Sequence, residues 1–444
     1  MVLGGLAVLR LRVRKFCNRQ QGVAINTVDV RTRLAGGSDL VDPESFWDDT
    51  VRGLLDLNGR LVARGATLLG LPPLSFDVDG AIGALVVDDN GVHAQRKVAE
   101  SGPVVELDVG AFSDLMGDVV SAFGLGMAGR VVVRRGVLTD FVSWEPVLRA
   151  LIDGRAVYEP GTIDFRDADG AELDLRQSFS VFDPTERPGH FLEETGFLHL
   201  RSVFTDEEMQ AVSHELDAAV GAARRDDGSS WWARTEDAGW YACRILGFNQ
   251  KSTTLRDLLT SDRFTAIGRF TDDAFVQRDP EVGDSAEGLW KKIGVVEGPS
   301  DVSWHKDCSM GGHSRGCSSL VVGISLTDAD STSGELGVVA GSRRANVQML
   351  GLHPTLDLPR LALPTRRGDV LVHCSCTLHM SRPPVSAERR VVYTGFELAP
   401  RPGEVVEHVD PAEARRRRAG LGDTSRLVAP EGDRAEHFKL ETTS

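Results

Sequence analysis

Lysine is nearly missing from this sequence: of 50 basic residues only seven are Lys, and the excess of Asp and Glu leaves a net charge of -15. That balance excludes the broad basic face on which nucleic-acid affinity depends. It leaves room for small anions, which one local cluster of Arg can hold. Cysteine is sparse as well, with Cys17, Cys243, Cys308, Cys317, Cys374 and Cys376 scattered over 444 residues. A disulfide scaffold needs a denser framework, so the thiols are expected to be reduced and the chain cytoplasmic. No run reaches the ~18 apolar residues of a membrane span. Met1 to Phe16 interrupts its apolar residues with Arg10, Arg12 and Arg14, unlike a secretory signal, and no small-residue cleavage site follows.

What remains is the composition of a soluble globular protein, 41% hydrophobic and 26% charged, in a chain long enough for two cores. Residues 1–40 show no sustained period and read as a flexible N-terminal arm. Residues 41–160 read as an α+β domain. Pro43 to Leu61 carries a helical stripe, Leu74 to Val78, Ala84 to Val87 and Val104 to Val109 are strand-like, and Ala111 to Phe123 and Phe141 to Ile152 are helical. Residues 161–189 are polar and turn-rich, the expected linker. In residues 190–402, Thr205 with Glu208 three positions on marks the start of a strong helix from Asp206 to Ala223. Short strands between Gly, Ser and Pro turns follow from Leu289, the pattern of a jelly roll. Residues 403–444 form a charged tail, and the run Arg415 to Arg418 reads as a solvated surface.

The segment Val302-Ser303-Trp304-His305-Lys306-Asp307 sets His and Asp two apart, on the same face of a strand. His379, reached through Gly368-Asp369-Val370-Leu371-Val372-His373, supplies a third donor. Two imidazoles and one carboxylate leave coordination positions open, a set that suits iron(II) with a chelating 2-oxo acid and dioxygen. A His-x-Asp pair alone is most often a surface accident, and the weight comes from its company. Arg390, eleven residues after His379, can pair its guanidinium with the distal carboxylate of 2-oxoglutarate, and Ser381 can add a hydrogen bond. Arg389 is the neighbouring alternative, expected to point to the opposite face.

These residues resemble the phytanoyl-CoA dioxygenase family, a branch of the double-stranded β-helix (jelly roll, cupin-type) oxygenases. Glu194-Thr195-Gly196-Phe197, Trp304-His305-Lys306-Asp307, Ile324-Ser325-Leu326-Thr327-Asp328, Gly334-Glu335-Leu336, Gly341-Ser342-Arg343, Gly368-Asp369, His379-x-Ser381 and Arg390 occur in the family's order. The resemblance implies that His305, Asp307 and His379 bind iron(II), and that Arg390 and Ser381 bind 2-oxoglutarate. It also implies a dioxygenase that couples oxidation of a substrate, hydroxylation first and desaturation or rearrangement next, to release of succinate and CO2. Halogenating relatives replace the carboxylate ligand with Gly or Ala; Asp307 is kept here. Arg382-Pro383-Pro384 and Arg343-Arg344 depart from the family's usual turns, which bears on substrate rather than on chemistry.

Other residues compete for roles. His373 is the rival third ligand, set aside because only His379 gives Ser381 and Arg390 their offsets. His313 is a candidate substrate contact, against the commoner case of a loop histidine in solvent. Cys374 and Cys376 read first as small residues filling a tight strand. Lys291 or Lys292 can face the 2-oxoglutarate pocket. Trp231, Trp232, Trp240 and Tyr241, with Arg234 and Arg244, read equally as a substrate lid on a loop or as ordinary packing.

The first domain resembles the sterol-carrier-protein-2 type, on Val104-Val105-Glu106-Leu107-Asp108-Val109, Phe112-Ser113-Asp114-Leu115-Met116 and Met127-Ala128-Gly129-Arg130-Val131-Val132-Val133. That implies an apolar ligand or acyl chain held there, set against a domain that serves packing. The expected partner is a small-molecule substrate, an apolar or acyl one included. The alternative is an inert oxygenase-like fold that carries a hydrophobic ligand through its first domain.

Overall fold

The computed structural model describes residues 40–88, 91–225, 227–271, 275–309 and 319–398. The N-terminal arm apart from Leu40, the charged tail, and His313 lie outside these residues.

In the first domain β1 (Leu74–Val78), β2 (Ala81–Asp88), β3 (Gly91–Gln95), β4 (Val104–Leu107) and β5 (Val131–Arg135) form one sheet in the order β3-β2-β1-β4-β5. β4 lies parallel to β1 and the other pairs are antiparallel. The first helical stretch outruns its expected end at Leu61 and continues to Leu68 after a π turn at Phe46–Thr50. Gly65 carries it there: a Cβ at that position would come 2.4 Å from Val157, so only glycine allows the close approach. The expected helix Ala111 to Phe123 is instead two, Val109–Met116 and Ala122–Met127, each capped by its own side chain, Asp108 and Ser121. Edge-on rings of Phe46, Phe76, Phe112 and Phe141 fill the space between helices and sheet, with centroids 5.1–6.1 Å apart.

The second domain contributes β6 (Phe197–Leu200), β7 (Ser230–Thr235), β8 (Gly239–Leu246), β9 (Phe275–Gln277), β10 (Glu287–Lys291) and β11 (Val295–Glu297). It continues with β12 (Val302–His305), β13 (Ser319–Ser325), β14 (Leu336–Val339), β15 (Arg360–Leu363), β16 (Val370–Cys374), β17 (His379–Ser381) and β18 (Arg389–Leu398). The larger sheet runs β11-β7-β8-β10-β18-β13-β16-β6, with β9 added beside β18, and the smaller runs β12-β17-β14-β15. This is the expected jelly roll of antiparallel sheets. The capping box forms as read: Thr205 Oγ1 accepts from the Glu208 N–H, and the Thr205 N–H donates to the Glu208 carboxylate, opening the helix Asp206–Ala222. That helix covers the outer face of the larger sheet through Met209, Val212 and Leu216.

The stretch expected as a linker is not a free tether. Leu173, Phe179 and Val181 are buried in the jelly-roll core, and Phe179 bridges to Leu200. Spaced apolar residues in a polar stretch carry too weak a period to reveal this. The two domains are joined further by one segment of the jelly roll. Asn346 donates to the carbonyls of Pro146 (2.8 Å) and Arg155 (2.9 Å) and accepts from the Tyr158 N–H (3.0 Å). Tyr158 and the Gly161 N–H both bond to Asp357.

Beneath the helix Glu145–Asp153, the Arg149 guanidinium donates to the carbonyls of Leu115 and Met116. Burial raises the Glu145 carboxyl from 4.5 to about 7, against partial relief from Arg149. The folded chain therefore holds a proton that the unfolded chain releases between those values. Stability should fall as pH rises from about 4.5 to about 7, by on the order of 3 kcal/mol. Thermal unfolding across that window should show the slope in the wild type, and Glu145→Gln should flatten it.

Candidate active site

β12 and β17 are antiparallel neighbours, and their register sets His305 opposite His379. Both imidazoles are held from behind. His305 Nδ1 lies 2.8 Å from the Ser303 carbonyl and His379 Nδ1 lies 2.9 Å from the Thr377 carbonyl. Each Nδ1 donates its proton, which leaves Nε2 as the lone-pair nitrogen pointing forward. Asp307, in the one-turn 3-10 helix Asp307–Ser309 that follows β12, meets both: Oδ1 is 3.2 Å from His305 Nε2 and Oδ2 is 3.5 Å from His379 Nε2. The three donors lie within 4.8 Å of one another. The reading of His305 and Asp307 on one strand face is thus corrected in detail, because the strand ends at His305 and a tight turn carries Asp307 to the same place.

Burial opposes a charge on Asp307, but His379 and His305 outweigh it and hold the carboxyl well below the usual carboxylate range. Burial, with His373 alongside, pushes His379 well below the usual imidazole value, whereas at His305 the Asp307 carboxylate outweighs burial and raises it. A neutral imidazole and an ionised carboxylate are the protonation states that bind a divalent metal. His373 stacks 4.2 Å from His379 in ring centroid distance but stays outside the donor cluster. Two nitrogens and one carboxylate oxygen, with further positions open, fit iron(II) better than a closed tetrahedral zinc set.

Arg390 is not at this site. It pairs with Asp217 (2.8 Å), reaches Ser213 (3.3 Å) and lies over the Trp290 ring at 4.0 Å, all on the helix-covered face of the larger sheet. Arg389 is the inward residue. Its Nη1 donates to the Gly334 carbonyl (2.9 Å) and to Ser381 Oγ (3.2 Å), and Nη2 lies 3.5 Å from the Tyr393 hydroxyl. The register pairs Lys291 with Arg389 and Trp290 with Arg390, so Lys291 shares the inner face. The Lys291 ammonium donates to Ser381 Oγ (2.7 Å) and to the Arg382 carbonyl (2.8 Å). Burial, then the Arg389 guanidinium, lowers its pKa well below the usual lysine value. A buried guanidinium and a buried amino group facing each other across one serine would both be stabilised in their charged forms by an anion. Arg389 lines a small cavity with Ser325, Leu336, His373 and Tyr393.

Gly334 explains one of the shared motifs. Its φ is +76°, and a Cβ would come 2.2 Å from the Arg382 carbonyl, so only glycine lets its own carbonyl approach Arg389. Asp369 has a framework role: its carboxylate accepts from the N–H groups of Ser202 and Arg366 and from His199, closing the turn before β16. The aromatic patch is a strand hairpin, not a loop. Trp231 lies under the Arg244 guanidinium, Trp240 under Arg225, and Tyr241 packs on Trp290 with Lys292 above both. Lys292 therefore sits on the outer face. Arg244 pairs with Glu287 across β8 and β10.

Residues 192–392 match the sequence model of the phytanoyl-CoA dioxygenase family. The match covers the jelly-roll domain, a little under half of the chain. Among solved structures, AviO1 from Streptomyces viridochromogenes Tue57 is 20% identical over 48% of this chain and 95% of its own, with a TM-score of 0.37. HygX from Streptomyces hygroscopicus, solved with nickel, 2-oxoglutarate and hygromycin B, is 19% identical over 47% and 85%, with a TM-score of 0.36. EctD from S. alaskensis is 15% identical over 57% and 95%, with a TM-score of 0.41. No curated protein matches the chain.

Removing a donor from the cluster should be felt first in metal binding. Asp307→Ala is expected to weaken iron(II) binding by more than the ~10–100-fold usual for loss of a group that only supports a ligand. Anaerobic calorimetric titration measures it, with circular dichroism to show that the fold persists.

Proposed function

We propose that this chain is a non-haem iron(II), 2-oxoglutarate-dependent dioxygenase that hydroxylates a small molecule. The observation that carries the proposal is the opposed pair Lys291 and Arg389, two buried basic side chains meeting at Ser381 beside the His305, Asp307 and His379 donors. A dicarboxylate matches that arrangement: one end needs an open metal, the other needs cations. Iron(II) with 2-oxoglutarate and dioxygen would supply the oxidising power for an unactivated C–H bond. The protein's part is positional. His305 and His379 present Nε2, Asp307 adds a negative oxygen, and Arg389, Lys291, Ser381 and Tyr393 fix the far carboxylate. Arg389 takes the role first read for Arg390.

The substrate class follows from the wall beyond this pocket. Register places Glu287 opposite Tyr393 and Leu289 opposite Arg244, on the inner face with Lys291. The Arg244–Glu287 pair, each side chain about a quarter exposed and with Trp231 beneath, supports a substrate with a polar group at that end. The retained Asp307 favours oxygen insertion over halogenation. For the first domain we favour a packing role over ligand carriage, since aromatic rings fill its interior and its helix Ala122–Met127 packs beside the Asp307–Ser309 turn.

Anaerobic addition of iron(II) and 2-oxoglutarate should give a visible charge-transfer band, absent with iron(II) alone. Titrating that band with 2-oxoglutarate should show Arg389→Leu and Lys291→Met weakened by ~10-fold or more, as expected for losing a charge-assisted hydrogen bond. Arg390→Leu should titrate like the wild type. Equal loss in Arg390→Leu would return the anchor to that residue.

A further inference from the structure

We infer that Cys308 and Cys376 are a peroxide-oxidised thiol pair whose disulfide draws Asp307 away from the metal. The inference rests on Asp307 as a ligand but adds a modification site to that reading. The two sulfurs, 68 residues apart in sequence, lie 3.2 Å from each other. Both thiols are reduced and buried. Cys308 directly follows Asp307 in the same one-turn helix, and Cys376 precedes His379 by three residues. The backbone already joins the two segments that carry the pair, since the Cys308 N–H donates to the Ser375 carbonyl at 3.2 Å.

The two sides are anchored unequally. Around Cys376, the Cys374 N–H donates to the Gly196 carbonyl (2.9 Å), the Thr377 N–H to the Cys374 carbonyl (2.8 Å), and the Thr377 hydroxyl to Gly196 again (2.9 Å). Cys308 rides on a single turn. A disulfide requires about 2.05 Å between sulfurs. Contraction from 3.2 Å is therefore taken up by the Cys308 turn and passed to Asp307.

Cys308 is the more accessible thiol, 8% exposed against 1% for Cys376. Its sulfur attacks hydrogen peroxide, the O–O bond breaks, and one water leaves with sulfenic acid on Cys308. The Cys376 sulfur then displaces the second water as the S–S bond forms. Two thiols lose two electrons and two protons, and one peroxide becomes two waters.

The test treats metal-free full-length protein with hydrogen peroxide, removes it, and follows two readouts. Peptide mapping after alkylation should find Cys308 joined to Cys376, with Cys374 alkylated. Anaerobic iron(II) titration should show affinity lowered by ~10-fold or more, on the scale of a disturbed ligand support. Dithiothreitol should restore it. Cys376→Ala should lose the response and Cys374→Ala should keep it. Alkylation of both cysteines, or any other pairing, overturns the inference. A Cys308–Cys376 disulfide that leaves iron(II) affinity unchanged overturns its coupling to Asp307. Failure of untreated wild type to bind iron(II) would instead count against the metal reading, whatever the mapping shows.

Discussion

The site depends on one pairing, that of β12 with β17. Antiparallel register at His305 and His379 puts two imidazoles with the same backbone tether across from each other, although they lie 74 positions apart in sequence. The pairing is itself held from outside. His305 bridges to Leu350, the Lys306 N–H donates to the Met349 carbonyl (3.0 Å), and the Gly351 N–H donates to the Trp304 carbonyl (2.9 Å). The segment that makes these bonds is the one through which Asn346 grips the first domain. The first domain thereby becomes part of the frame that positions His305, the proposed metal ligand, which is why an account of it as a detachable carrier fits poorly.

Charge is distributed with the same economy. A chain with net charge -15 places the basic side chains Lys291 and Arg389 between its sheets, where desolvation opposes their charge. Ser381 mediates between them, accepting from Lys291 and from Arg389 while donating to the Gly334 carbonyl. The Arg390 side of the same strand is satisfied outright by Asp217, Ser213 and Trp290. One strand thus sends adjacent arginines to opposite fates, one structural and one facing the pocket.

Much of this was legible beforehand, for identifiable reasons. The capping box at Thr205 and Glu208 is a local signal, and local signals survive folding. The jelly roll announces itself in short strands between turn residues. His305, Asp307 and His379 stand out because ligand chemistry restricts residue type far more than packing does. The failures also have causes. The split of the first domain's second helix reflects two competing caps, Asp108 and Ser121, within one apolar run. The aromatic hairpin looked like a loop because its polar residues, and a register shift between Trp231 and Trp232, mask the alternation of Ala233 and Thr235.

By itself, then, the sequence singled out a set of residue types of the kind that binds a metal and an oxo acid, and roughly which kind of scaffold would carry them. Only the tertiary structure decided which arginine faces inward. Val391 and Val392 are both buried, one on each face of β18, so the strand has no polar alternation from which to read parity. The register with β10, which sets Lys291 against Arg389, fixes it. Register is a property of two strands about a hundred residues apart, and neither strand's own residues state it.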